Sequence, residues 1–145
     1  MFKKTTVIPL IALCAAVTFT GCKEKKPAIP TPAHLQFAID QSSREAVTKS
    51  FFKALNIDGD IETSWSLLAP AYKENLSKKA GSENQAKADF KKKFIDSVPQ
   101  EGRDDLKRAL SDPAKFDNFI KNVCAKQKPD DLVEIDGKWY VNNFY

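Results

Sequence analysis

The chain has 145 residues, 42% of them hydrophobic and 29% charged, with 23 basic against 19 acidic side chains. That is the balance of one soluble globular domain, and it excludes a disordered or multi-spanning chain. Lys3 and Lys4 precede every acidic residue, so setting aside residues 1–21 lowers the net charge from +4 to +2, and so nearly neutral a domain lacks the basic face that nucleic acid requires.

Met1-Phe2-Lys3-Lys4 is a positive start, and Val7 to Thr20 is an apolar run ending in small residues, the tripartite pattern of a secretion signal. A helix of this length reaches about 21 Å against a hydrocarbon core of about 30 Å, which disfavours a permanent span. Pro9 disfavours a buried core helix. The run ends at Phe19-Thr20-Gly21-Cys22, which resembles the lipobox of bacterial lipoproteins, with Phe19 where Leu is commonest. The resemblance implies cleavage before Cys22, a diacylglyceryl group on its sulfur and fatty acyl (palmitate-type) chains that hold the mature protein on a membrane. Lys23 follows, rather than the Asp that often retains such proteins in the inner membrane, so the resemblance favours the outer membrane, facing the periplasm. The alternative is an ordinary secreted protein cut nearby, with Cys22 incidental. Lys23 to Pro32 is charged and rich in proline, a composition suited to an extended tether, whose lysines either touch anionic headgroups or are simply solvated.

Beyond the tether, Leu35, Phe37 and Ile39 alternate as in a strand, while Pro32 equally suits a helix start, and the reading leans to helix. Ser42-Ser43-Arg44-Glu45 predicts a capping box, followed by a helix with Val47, Phe51 and Leu55 on one stripe and Phe52 beside it. Asn56 to Asp60 should break it, and Asp60 should cap a second helix carrying Ile61, Trp65 and Leu68, the two forming a helical hairpin. Pro70 opens a run bearing Tyr72 and Leu76 that Gly81 ends. From Ser82, Ala86, Phe90, Phe94 and Val98 recur every fourth residue until Pro99. A short helix around Leu106 and Leu110 precedes Asp112-Pro113, which opens an amphipathic helix with Phe116, Phe119, Ile120, Val123 and Cys124. Leu132 to Ile135 and Lys138 to Phe144 flank Asp136-Gly137 as a hairpin, with Glu134 opposite Trp139 and Val133 opposite Tyr140. No internal repeat is read.

The expected fold is therefore α+β and predominantly helical: signal peptide 1–21, lipidated start and tether 22–33, and one globular domain 34–145 built as a helical bundle with a C-terminal two-stranded hairpin. Ser50-Phe51-Phe52-Lys53-Ala54-Leu55, Gly59 to Leu68 and the ending Val133-Glu134-Ile135-Asp136-Gly137-Lys138-Trp139-Tyr140-Val141 resemble small NTF2-like lipoproteins over roughly a quarter of the chain. The resemblance implies helices closing one side of a curved antiparallel sheet around a conical pocket, here in reduced form. Residues 82–126, where that family supplies its middle strands, show helical spacing instead. No catalytic residue is implied.

Candidate chemistry is sparse. His34 is the only histidine and lies beside the tether, without partners for a triad or metal site. Cys14 leaves with the leader, and Cys124, on an apolar helix stripe, reads as a buried, inert thiol. Asp58 and Asp60 share part of a calcium-loop pattern, but the remaining ligands are missing and a capping turn explains them better. Lys91-Lys92-Lys93 reads as a solvated face rather than a headgroup-binding one. Trp65, Trp139 and Tyr140 are the candidate ligand-contacting residues, against the plainer reading that they are core. No cofactor or metal is implied. The expected function is a non-catalytic, lipid-anchored envelope accessory protein that binds a protein or other envelope component. The alternatives are a small-ligand carrier with an NTF2-like pocket and, less favoured, an envelope hydrolase with two converging carboxylates or Cys124 beside an acid–base group.

Overall fold

Ser43 has extended backbone, and its hydroxyl accepts the Ala46 amide, which starts the first helix, α1 (Arg44–Phe52). The computed structural model describes residues 27–143. Within it follow α2 (Ile61–Ser66), α3 (Pro70–Ala80), α4 (Glu83–Lys91), α5 (Gln100–Ala109), α6 (Pro113–Lys126), β1 (Leu132–Ile135) and β2 (Lys138–Val141). The class is α+β and mostly helical, as the hydrophobic spacing implies. The leader, the lipobox with Cys22 and the first part of the tether lie outside the described residues, as does Phe144.

The local signals for the later elements act as read. Pro70 occupies the first turn of α3, and Gly81 closes it at φ 88°. The Ser82 hydroxyl caps α4 through the Gln85 amide, and Asp112 caps α6 through the Ala114 amide. Asp136 and Gly137 both have positive φ, which matches the turn to the strand twist, and the register pairs Val133 with Tyr140 and Glu134 with Trp139.

Four details differ from expectation. The cap of α1 is Ser43, not Ser42, because the Asp40 carboxylate already takes the Ser42 amide; Glu45 then falls short of the capping-box position and acts only as a first-turn acid. Leu35 to Ile39 is not a helix: a 3-10 turn, Ala33–Leu35, leads into a strap without regular structure, with Leu35 buried and Ile39 43% exposed. Leu68 is fully buried but lies in the link after α2, not on it. Finally, α1 does not break at Asn56. It widens into a π turn, Lys53–Asp58, and ends at Gly59 with φ 67°.

A second π turn, Lys92–Asp96, extends α4, and comparing the two reveals a repeat that hydrophobic spacing alone did not show. Phe52-Lys53-Ala54-Leu55-Asn56-Ile57-Asp58 and Phe90-Lys91-Lys92-Lys93-Phe94-Ile95-Asp96 share Phe-Lys-x-x-x-Ile-Asp. In each the isoleucine is buried. In each the lysine also bridges the aspartate five residues on, Lys53–Asp58 at 2.5 Å and Lys91–Asp96 at 2.6 Å. Five residues is the hydrogen-bond step of a π turn. The stripe Ala86, Phe90, Phe94 outruns a helix of about 3.6 residues per turn, and the wider turn shifts burial from Phe90 to Ile95 instead of Phe94. The two π turns pack against each other. Each is followed by a short helix and then by one whose first residue is proline, Pro70 or Pro113.

Two apolar clusters result. One gathers Val47 and Phe51 of α1 and Leu55 of the π turn with Trp65, Phe90 and Val141; the other joins Leu35, Ile57, Leu110, Phe116 and Ile120. The hairpin is fastened to the helices along the outer edge of β2. The Val141 amide donates to Leu67 O at 2.9 Å and the Ala69 amide to Val141 O at 2.8 Å, while Trp139 exchanges bonds with the backbone and side chain of Gln41.

Ala69 has φ −58°, already the proline value, so Ala69→Pro removes little except its amide donor. The variant should lose about 1–3 kcal/mol in urea titrations and keep its helical circular dichroism. Asp60 caps α2, and its carboxyl is held below its ordinary 3.8 by hydrogen bonds from the Thr63 hydroxyl and amide. Asp60→Ala should cost about 1 kcal/mol at neutral pH. Because the folded value is depressed, that deficit should begin to shrink near 3.8 and vanish as the pH falls through the lowered value, measured by denaturation across the acid range.

Candidate functional site

The strap is held by side chains far away in sequence. The Ile29 amide donates to Asp104, the Asp40 amide donates to Ser50 Oγ at 2.9 Å, and that hydroxyl donates back to Asp40 O at 3.0 Å. The last tether residues are thus already part of the domain. Held in this way, the strap forms one wall of a cavity of about 560 Å³ whose other walls are α1 and the first turn of α6.

His34, Phe37 and Asp40 line it from the strap, Glu45 and Lys49 from α1, and Phe116 and Asp117 from α6. His34 Nε2 lies 2.6 Å from Leu110 O, and since a carbonyl only accepts, that nitrogen carries the hydrogen. The ring meets Phe116 edge-on at 6.1 Å, and Phe37 lies tilted against Phe116 at 6.3 Å. The Lys49 ammonium sits 5.5 Å from the Phe116 ring centre and 3.0 Å from Asp117. Lys53 stands 5.5 Å from the Phe37 ring centre. The bond from Lys49 and then its charge hold the Asp117 carboxyl below its ordinary value, and the Ser42 amide does the same for Asp40.

Two smaller hollows accompany it. One of about 220 Å³ lies between α3 and α4 over Leu76, Phe90 and Phe94, rimmed by Lys79 and Lys93. The other, of about 210 Å³, lies among Phe51, Phe52, Val123 and Asn143 beside the hydrogen-bonded pair Thr48 and Gln127.

The three aromatic candidates from the sequence do not share a cavity wall. Trp65 is buried in the core edge-on to Phe90, its indole N–H donating to Glu83. Trp139 packs on the same cluster under the Arg44 guanidinium, and Tyr140, its neighbour on β2, faces the other side of the hairpin. None of the three lines the cavities above. His34 meets the Leu110 carbonyl and the Phe116 ring because the strap folds back toward α6; neither contact is an acid–base or metal-ligating group. Cys124 is half-buried against the second cluster rather than fully enclosed. Asp58 is taken by Lys53, and Asp60 is the cap of α2. Of the lysine run, Lys91 is paired with Asp96, Lys93 lies over Phe94, and Lys92 is exposed. Phe37, Lys49, Phe116 and Asp117 were missed as site residues; each satisfies a local pattern that explains it as helix or core.

Among the described residues no group of three or more His, Cys, Asp or Glu is arranged to hold a metal ion, and no helix is long and apolar enough to cross a membrane. Comparisons with protein-family models, curated proteins and solved structures found no match.

Ser50 is fully buried, so Ser50→Ala leaves the Asp40 amide and carbonyl without their clasp. The substitution should cost about 1 kcal/mol and speed hydrogen exchange at the Asp40 amide well beyond exchange in α3.

Proposed function

We propose that the protein is a bacterial envelope lipoprotein, held at the outer membrane facing the periplasm by acyl chains on Cys22, and that its domain is a non-catalytic module binding a protein or other envelope component. The observation that carries this reading is the motif Phe19-Thr20-Gly21-Cys22 at the end of an apolar leader. Two or three acyl chains exceed what stable anchoring requires, whereas a single chain does not suffice.

The domain geometry adds a length. Cys22 lies seven residues before Ile29, among the described residues the first whose backbone is hydrogen-bonded to the body of the domain. Seven residues span at most about 25 Å. An anchored domain is therefore held close to the headgroups. The second reading, a small-ligand carrier, is favoured by the cavity of about 560 Å³, which falls within the usual size of small-molecule sites. That cavity is walled by helices and a strap, and the sheet has two strands.

Mass spectrometry of the protein from its native membranes should show an acylated Cys22 as the first residue. Cys22→Ala should move the protein from the membrane to the soluble fraction. An unmodified N-terminus, or an intact leader on the mature product, overturns the lipoprotein reading.

A further inference from the structure

We propose that the cavity between the strap, α1 and α6 is a binding site for a small organic amine in its ammonium form, which enters by taking over the position now filled by the protein's own Lys49. The inference concerns the domain itself and stands independently of acylation at Cys22.

The cavity wall is made of the groups that hold an organic cation. An ammonium is attracted to the face of an aromatic ring and to a carboxylate at once, and Phe116 and Asp117 offer both from one helical turn. The structure shows such an ammonium already in place: Lys49 Nζ is 5.5 Å from the Phe116 ring centre and 3.0 Å from Asp117. The phenyl ring of Phe37 extends the aromatic wall. The lining carries three carboxylates, Asp40, Glu45 and Asp117, against the single lysine Lys49. Hydrogen bonds from Ser42 keep Asp40 charged to lower pH than an ordinary aspartate. An anionic ligand would meet this charge unfavourably, and a purely apolar one would strip water from carboxylates and give no compensating bond.

Lys49 is an internal competitor with an alternative partner. Glu45 lies one turn earlier on α1, and residues four apart on a helix can pair. An incoming ammonium can therefore take Asp117 and the Phe116 face while the Lys49 ammonium swings to Glu45, so no charge is left unpaired. Side-chain exposures of 29% for Lys49 and 54% for Asp117 leave this pair open to exchange with solvent. No covalent step is involved.

The test is titration of the whole protein in detergent micelles with n-butylamine and with putrescine, read by calorimetry and by shifts of the Phe37 and Phe116 ring resonances, with butyrate and butanol as controls. The amines should bind saturably and the controls should not. Lys49→Ala, and Lys49→Gln which keeps more of the stem, should bind amine roughly tenfold more tightly because the competitor is gone, and Asp117→Asn roughly tenfold more weakly. Phosphatidylethanolamine vesicles offered to detergent-free protein separate the two sources of such an amine. Vesicle binding that depends on Asp117 assigns a lipid headgroup, and binding of the free amine alone assigns a soluble one. Absence of saturable amine binding in the parent and in a folded Lys49→Gln, or tighter binding of butyrate, overturns the proposal. Either result leaves the lipoprotein reading untouched, since that rests on Cys22.

Discussion

The structure depends on α1 and the π turn that continues it burying two faces at once. Val47, Phe51 and Leu55 enter the cluster beneath the hairpin, whereas Phe52 and Ile57 serve the cluster that holds the strap and α6. Each buried aliphatic side chain contributes about 1.5–3 kcal/mol, so neither cluster can be given up in a domain of this size. Leu55 and Ile57 lie only two residues apart, yet both are almost completely buried in different clusters. The π turn lets the helix end serve both directions before Gly59 reverses the chain. A π turn also ends α4, where Phe90 and Ile95 stay in one cluster and Arg103 donates to the Ile95 and Val98 carbonyls.

A two-stranded hairpin is marginal in water, and its edges invite further pairing. Here the outer edge of β2 is occupied by segments that are not strands. Gln41 covers Trp139, and the link Leu67 to Ala69 covers Val141. The hairpin is thereby bonded to the segment before α1 and to the link between α2 and α3. Its inward face adds Leu132 and Val141 to the core, while Val133 and Tyr140 pair on the opposite face and remain half-buried.

What could be read from the sequence follows from how local each signal is. Ser82, Asp112, Pro70, Gly81 and Asp136-Gly137 act on atoms within a few residues, and the helix ends and hairpin turn they control stand where expected, although β2 stops at Val141 rather than Phe144. The α1 cap moved by one residue because two serines are adjacent and Asp40 decided between them. The strap escaped notice because its partners, Ser50 and Trp139, lie 10 and 98 residues from the groups they hold. The cavity was invisible for the same reason. Phe37 reads as half of a strand-like alternation and Phe116 as one member of an amphipathic stripe, and only the fold sets their rings against each other. The π turns carried a legible sign in the Phe-Lys-x-x-x-Ile-Asp pair, but a search for 3.6-residue periodicity looks past it. Trp65 and Trp139 drew attention through size; Trp65 lies in the core, and Trp139 is half-buried against it.

The strap joins the N-terminal segment to the cavity between α1 and α6, and this gives the domain a mechanical polarity. A pull applied to the chain at Pro27 reaches the Ile29–Asp104 bond first, then His34, then the Asp40–Ser50 clasp. These contacts are strained one after another, like teeth of a zip, before tension reaches α1. The first structure to yield is the strap wall of the cavity, and it draws Leu35 out of the second cluster with it before α1 is loaded.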